Sequence, residues 1–134
     1  MAALTVHHVG IAVVDLDEAV GRYVSLFGAR VEHRARVDDQ GVEAASLRVG
    51  DARIELLAPT GPETPVGRFL AKRGAGMHHV AFLVDDVAAE LERVRATGAE
   101  VIDETPRRGL FGLQVAFVHP SSTGGVLAEF VSDG

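Results

Sequence analysis

The chain has 134 residues, 47% of them hydrophobic and 24% charged, with no cysteine and a formal net charge of −6. This composition excludes a disordered or collagen-like chain, a disulfide framework and any thiolate metal site. The acidic balance speaks against nucleic-acid binding, which calls for a basic surface.

No apolar run reaches the roughly 18 residues of a membrane span, and no basic-then-apolar leader precedes the first periodic segment. A cytoplasmic protein with neither membrane nor nucleic-acid partners is expected. Leu4 to Val13 is predicted as the first strand, with Val9, Ile11 and Val13 on one face and His8, Gly10 and Ala12 on the other. The large apolar face suits packing on a helix, and the small-residue face leaves room for a ligand.

Asp15-Leu16-Asp17-Glu18 has the form of a capping box, so a helix is predicted from Leu16, with Leu16, Val20, Val24 and Phe27 at helical spacing and Gly28 as its stop. Ala29 to Arg36 follows as a strand. After the Asp38-Asp39-Gln40-Gly41 turn come strands over Val42–Val49 and Arg53–Leu57, joined at Gly50-Asp51. Ala58 to Glu63 is the connector, and Thr64 before Pro65 reads as the N-cap of a short helix that runs to Arg73 and ends at Gly74. A strand (Met77–Val84), a helix (Val87–Thr97, stopped by Gly98) and a strand (Glu100–Glu104) come next. A loop from Pro106 to Gly112 precedes strands at Leu113–His119 and Val126–Val131.

Strand, helix and three strands thus occur twice, and residues repeat with them. His7-His8-Val9 recurs as His78-His79-Val80, an offset of 79 − 8 = 71 that runs without a gap through Val13/Val84, Asp15/Asp86 and Val20/Leu91. Halves of about 60 residues are marginal folding units alone, and self-similarity marks units that share a core. A single domain is expected, with module 1 at about 4–57, the connector and short helix at about 58–76, and module 2 at about 77–134.

Each half also carries a carboxylate inside its last apolar strand: Glu55 lies 55 − 8 = 47 residues after His8, and Glu129 lies 129 − 79 = 50 residues after His79. A carboxylate in a strand core is costly unless it is paired or bound to a cation. A divalent ion held by His8, Glu55, His79 and Glu129 accounts for both at once. Taken singly, a hydrogen-bonded structural histidine, or a glutamate paired with a basic neighbour such as Arg53, is the plainer alternative. Alternation puts His8 and His79, rather than His7 and His78, on the small-residue face. Two imidazoles and two carboxylates form a mixed N/O set suited to Co, Mn, Ni, Fe or Zn. On an octahedral ion they would leave room for a ligand that chelates through two oxygens.

These positions on a doubled unit resemble those of the vicinal oxygen chelate superfamily, whose members include glyoxalase I, extradiol dioxygenases and fosfomycin-resistance proteins. Within it the chain is most similar to the methylmalonyl-CoA epimerase family over nearly its whole length. The match lies in HHVGIAVVDLDEA, IELLAP, PVGRFLAKRG (65–74), GMHHVAF and HPSSTGGVLAEF (119–130). The resemblance implies an α+β fold: two repeated βαβββ modules forming a cupped mixed β-sheet with helices on the outside. It implies His8, Glu55, His79 and Glu129 as metal ligands, with Glu55 where some members have Gln, and Co(II) as the ion, replaceable by other divalent ions. A homodimer, an acyl-CoA substrate and interconversion of (2R)- and (2S)-methylmalonyl-CoA are also implied.

In that reaction the carbon to be inverted lies between a thioester carbonyl and a carboxylate. Chelating one oxygen of each would stabilise the charge that develops on deprotonation. Inversion needs proton removal on one face and return on the other. Glu43 is the candidate for one base, although family members with a glutamate in this strand can place it one residue later, where this chain has Ala44. Glu129 is the candidate for the other face. The hydroxyls of Ser121, Ser122 and Thr123, with backbone N–H groups of that loop, are candidates for holding the substrate carboxylate, and Gln40 is a further candidate for binding the substrate; turn chemistry explains the loop equally well. Lys72-Arg73 and Arg107-Arg108 are candidates for the phosphates of coenzyme A.

Three other functions share this frame. A glyoxalase-I-like isomerase would act on a thiol adduct with the same four ligands. An extradiol dioxygenase would use two histidines and one carboxylate around iron. A metal-free protein could sequester a drug in the same space.

Overall fold

The computed structural model describes residues 4–133. Residues His8–His78 form one compact unit, and residues 79–133 together with 4–7 form another.

The first unit contains β1 (Thr5–Ala12), whose first residues belong to the other unit, α1 (Leu16–Phe27), β2 (Arg30–Val37), β3 (Val42–Val49), β4 (Ala52–Pro59) and α2 (Pro65–Arg73). Its strands lie in the order β2-β3-β4-β1, with β1 parallel to β4 and the other pairs antiparallel. Helix α1 begins where the Asp15 side chain accepts the Glu18 N–H at 3.1 Å, and ends at Gly28 in the left-handed region at φ 65°. It sets Leu16 and Ala19 against Ala45, Leu47, Leu56 and Ala58, with Ile11 and Val13 at the margin. By alternation, the opposite face of the same strands carries His8, Gly10, Ala12, Ala44, Ser46 and Glu55. Helix α2 is capped by Thr64, whose hydroxyl oxygen accepts the Gly67 N–H at 3.1 Å, with Pro65 at the first helical position.

The second repeat consists of β5 (Gly76–Leu83), α3 (Val87–Ala96), β6 (Arg107–Arg108), β7 (Gln114–Val118) and β8 (Ala128–Ser132). The order is β5-β8-β7-β6, with β5 parallel to β8. Asp86 caps α3 by accepting the Ala89 N–H at 3.1 Å. Val87 and Leu91 of α3 pack with Val84, Ala116, Val118 and Phe130, while Ala81, Val115 and Val131 cluster on the other face. Both modules are therefore βαβββ with the same internal strand order and a helix on one face of each mixed sheet, as the α+β expectation requires.

The second module departs from the expected pattern at Glu100–Glu104. Val101 makes an isolated bridge to Val118, and strand pairing resumes only at Arg107-Arg108. The cause is Asp103, whose carboxylate accepts the Phe117 N–H at 2.8 Å and replaces a ladder bond with a side-chain one. Pro106, next in line, has no N–H to give. Among the described residues no helix is long and apolar enough to cross a membrane.

Candidate active site

In the first module Glu55 stands across from Gly10 in the parallel β1–β4 pair and from Ser46 in the antiparallel β3–β4 pair. The Nε2 atom of His8 lies 3.6 Å from Oε2 of Glu55, with the two side chains 4% and 8% exposed. Arg53, the neighbour that could have neutralised Glu55, instead directs its Nε to Oε1 of Glu32 at 3.2 Å.

The second module repeats this arrangement. Glu129 stands across from Ala81 of β5, and since 10 + 71 = 81, Gly10 and Ala81 are the same place in the repeat. His79 Nε2 lies 3.3 Å from Glu129 Oε1, with the side chains 4% and 9% exposed. In each case the histidine is two residues before the small residue facing the glutamate, so both project from one face of their sheet. The other member of the second doublet, His78, packs edge-on against Phe69 of α2 at 4.8 Å.

Phe117 and Asp103, which the sequence reading passed over, and Arg107, which it offered to a coenzyme A phosphate, form a group beside His79. Phe117 is the β7 partner of Glu129, and its ring meets the His79 imidazole edge-on at 5.9 Å. Above Phe117 sits Arg107, with its guanidinium carbon 5.4 Å from the ring centre. Asp103 ties the group together: one oxygen accepts Arg107 Nε–H at 3.1 Å and the other the Phe117 N–H. The available signal was the pairing of the last two strands, which sets Phe117 beside Glu129.

The donor chemistry of these pairs suits a divalent cation. Burying an imidazole and a carboxylate takes both out of water at a cost that a divalent cation would offset. His8, His79 and Glu129 each present a buried atom able to bind a metal ion, and Glu55 adds a carboxylate that is as well buried. Mixed imidazole and carboxylate sets select borderline divalent ions.

Several expected residues lie elsewhere. Glu43 is on the α1 side of β3: its β4 partner is Ala58, a member of the core under α1, whereas Glu55 faces Ser46 on the reverse side. There it approaches Arg34 at 3.4 Å, and Arg34 also bonds Asp17 of α1. The hydrogen bond to Asp17 is the main cause that raises the Arg34 guanidinium above its ordinary pKa. A base at Glu55's face of the sheet is therefore not Glu43.

The Ser121–Thr123 loop is also spent on itself. The Ser121 hydroxyl donates to Glu100 at 3.1 Å, the Ser122 oxygen accepts the Glu100 N–H at 2.8 Å, and the Thr123 hydroxyl donates to Pro120 and Val126 carbonyls. The N–H groups of Ser121, Ser122, Thr123 and Gly125 are likewise engaged within the loop. Turn closure thus engages the hydroxyls of this loop and most of its N–H groups.

Gln40 is half-buried in a short 3-10 turn beside Gly41, whose carbonyl accepts the Thr60 N–H at 3.0 Å. The nearby Val42–Pro59 pair lies four residues along the ladder from Ser46–Glu55, roughly 13 Å at strand rise. Gln40 therefore stands just beyond one end of the β3–β4 ladder, away from that pair. Of the basic residues, Arg73 lies 5.9 Å over Phe69, and Lys72 and Arg73 occupy the last turn of α2, where cations complement the helix dipole. Arg107 is engaged as described, and Arg108 is exposed.

Comparison with known proteins bears on this geometry. Residues 7–117 match the family model described as the Glyoxalase/Bleomycin resistance protein/Dioxygenase superfamily. An ethylmalonyl-CoA/methylmalonyl-CoA epimerase of Cereibacter sphaeroides is 37% identical over 92% of this chain and 93% of its own length. Among solved structures, a Streptomyces coelicolor methylmalonyl-CoA epimerase variant in complex with 2-nitronate-propionyl-CoA superposes with a TM-score of 0.93. It is 39% identical, over 98% of this chain and 96% of that one. A methylmalonyl-CoA epimerase in complex with methylmalonyl-CoA and NH4+ gives a TM-score of 0.94 at 37% identity, over 99% and 96%.

Proposed function

The chain belongs to the Glyoxalase/Bleomycin resistance protein/Dioxygenase superfamily and, within it, to the methylmalonyl-CoA epimerases, an isomerase family, and from that footing we propose that it interconverts (2R)- and (2S)-methylmalonyl-CoA. The observation that carries the proposal is the buried His–Glu pair repeated at matched register, His8 with Glu55 and His79 with Glu129. In this reading His8, Glu55, His79 and Glu129 are ligands of a divalent ion, Co(II) being the preferred one. Two carboxylates then meet two positive charges, which removes the cost of burying them.

When bound, the ion supplies Lewis-acid polarisation of the substrate's thioester and carboxylate oxygens. The rest falls to the chain. His8 and His79 act as neutral donors, His79 held in place by Phe117. Gly10 and Ala81, facing the glutamates across the parallel strand pairs, leave space on that face for a substrate. Glu129 transfers a proton to or from C2 on one side of the substrate. A general acid or base positioned in this way contributes about 10²–10⁴-fold.

The test is solvent exchange. In deuterated water the metal-loaded protein should place deuterium at C2 of methylmalonyl-CoA and equilibrate the epimers, and a chelator should stop both. Metal-loaded, folded protein that leaves C2 unlabelled would overturn the proposal. Full substrate binding by metal-free protein, with no exchange under any loading, would point to the sequestering protein instead.

A further inference from the structure

We propose that Asp103 is a positioning residue for His79, acting through Arg107 and Phe117; this rests on the reading of His79 as a metal ligand. All four residues lie in the second unit, and they share a face of its sheet. Arg107 stands across from Val115, Phe117 follows two residues later on β7, and Phe117 stands across from Glu129. The Phe117 ring meets the His79 ring at 5.9 Å and nearly at right angles, 84°. Such an edge contact orients the imidazole only if the phenyl ring is itself held, and Phe117 is no more than half-buried. Its cover is Arg107, with the guanidinium carbon 5.4 Å from the ring centre.

Arg107 does not stay there unaided. Its side chain is 46% exposed, and a long side chain loses much rotamer freedom when it is held in one place. Asp103 supplies the hold by accepting the Arg107 Nε–H at 3.1 Å. Its other oxygen accepts the Phe117 N–H at 2.8 Å, and the Phe117 carbonyl accepts the Ile102 N–H at 2.8 Å. One short segment thus fixes both the backbone and the ring of Phe117. In the first module the counterpart of β6 is β2, which pairs with β3 from Arg30 to Val37. Interrupting the equivalent strand at Asp103 gives up ladder bonds and gains a carboxylate that ties Arg107 to Phe117.

The experiment uses full-length D103N, R107Q, R107K and the double variant D103N/R107Q. Asparagine keeps an oxygen for the Phe117 N–H but cannot also accept from Arg107, and R107Q leaves the Asp103–Phe117 bond untouched. Two quantities are read beside the thermal midpoint. The first is the NMR shift of the His79 ring protons in metal-free protein, assigned by their loss in H79Q. The second is Co(II) affinity by chelator competition. In D103N and R107Q the His79 resonances should shift, and Co(II) should bind about two- to fivefold more weakly, the worth of one exposed cation–π contact. The double variant should be no weaker than either single one, because both changes break the same chain of contacts. R107K, which keeps a cation for the ring and for Asp103, should recover most of the loss. Unshifted His79 resonances with wild-type Co(II) affinity in R107Q would overturn the proposal, even if stability fell. Additive losses in the double variant would overturn it as well. Wild-type protein that takes up no Co(II) would instead defeat the reading of His79 as a ligand, and the His79 shifts would still decide whether Asp103 and Arg107 set the imidazole.

Discussion

Replacing Glu43 by Gln separates a base on β3 from an electrostatic neighbour of α1. The side chains of Glu43 and Arg34 are 35% and 38% exposed and approach to 3.4 Å. A pair that open to solvent contributes at most about 0.5 kcal/mol, and the firmer hold on Arg34 is Asp17, which remains. The expected thermal midpoint is therefore within about 2 °C of wild type, using the usual conversion for a chain of this size. Deuterium wash-in at C2 should stay within about twofold. Loss of a base would instead cost about 10²–10⁴-fold, so the two outcomes are well separated. The assay pairs differential scanning calorimetry with mass-spectrometric exchange on metal-loaded protein. A hundredfold loss of exchange at unchanged midpoint would refute the face assignment and return the base to β3.

Gly41→Ala should destabilise the chain by roughly 2 kcal/mol, read as a lowered urea midpoint. Its φ is +67°, and an added Cβ would come within 2.5 Å of Thr64 Cγ2, disturbing the residue that caps α2; an unchanged midpoint would contradict both points. Phe117→Leu removes the ring against His79 and should weaken Co(II) binding about tenfold by chelator competition. Equal affinity would mean that the ring does not orient the imidazole. Leu91→Ala, at a side chain 1% exposed in the α3 core, should cost about 3–4 kcal/mol in denaturant unfolding. Co(II) at a hundred times its dissociation constant should stabilise the protein by about 2.7 kcal/mol, raising the thermal midpoint by roughly 8 °C. No shift with Co(II) or chelator would speak against a metal site.

Features set by local chemistry were legible from the chain. Asp15, Thr64 and Asp86 cap the helices that their neighbours predict, because a capping bond spans only three residues. His8 and His79 could be placed on the small-residue faces because alternation is a rule of the strand itself, whereas the glutamates needed the β1–β4 and β5–β8 register. Glu43 was legible too, but only through register. The Gly50-Asp51 turn pairs Val49 with Ala52, and 49 + 52 = 46 + 55, so Ser46 faces Glu55 and Glu43 must point the other way. The Glu100–Glu104 segment has the composition of a strand, yet Asp103 satisfies Phe117 with its side chain, a tertiary demand that propensity does not carry. The hydroxyls of Ser121 to Thr123 looked available because a sequence shows donors without showing what they already bond.

The two modules keep the His–Glu pair and change what stands beside it. Across the antiparallel pair, Glu55 faces Ser46, a small hydroxyl, while Glu129 faces Phe117, an aromatic ring held by Arg107. A duplicated pair alone would be indifferent to which way a substrate lies, and an epimerase needs that indifference at C2, where either face must be protonated. Away from C2 it needs the opposite, because an acyl-CoA carries its carboxylate and its long thioester arm on different sides. The neighbours are unequal, a hydroxyl beside one carboxylate and an aromatic ring beside the other, while the two carboxylates themselves are alike. Divergence therefore lies in the flanking strands β3 and β7, and the repeat survives in β1, β4, β5 and β8, which carry the two His–Glu pairs.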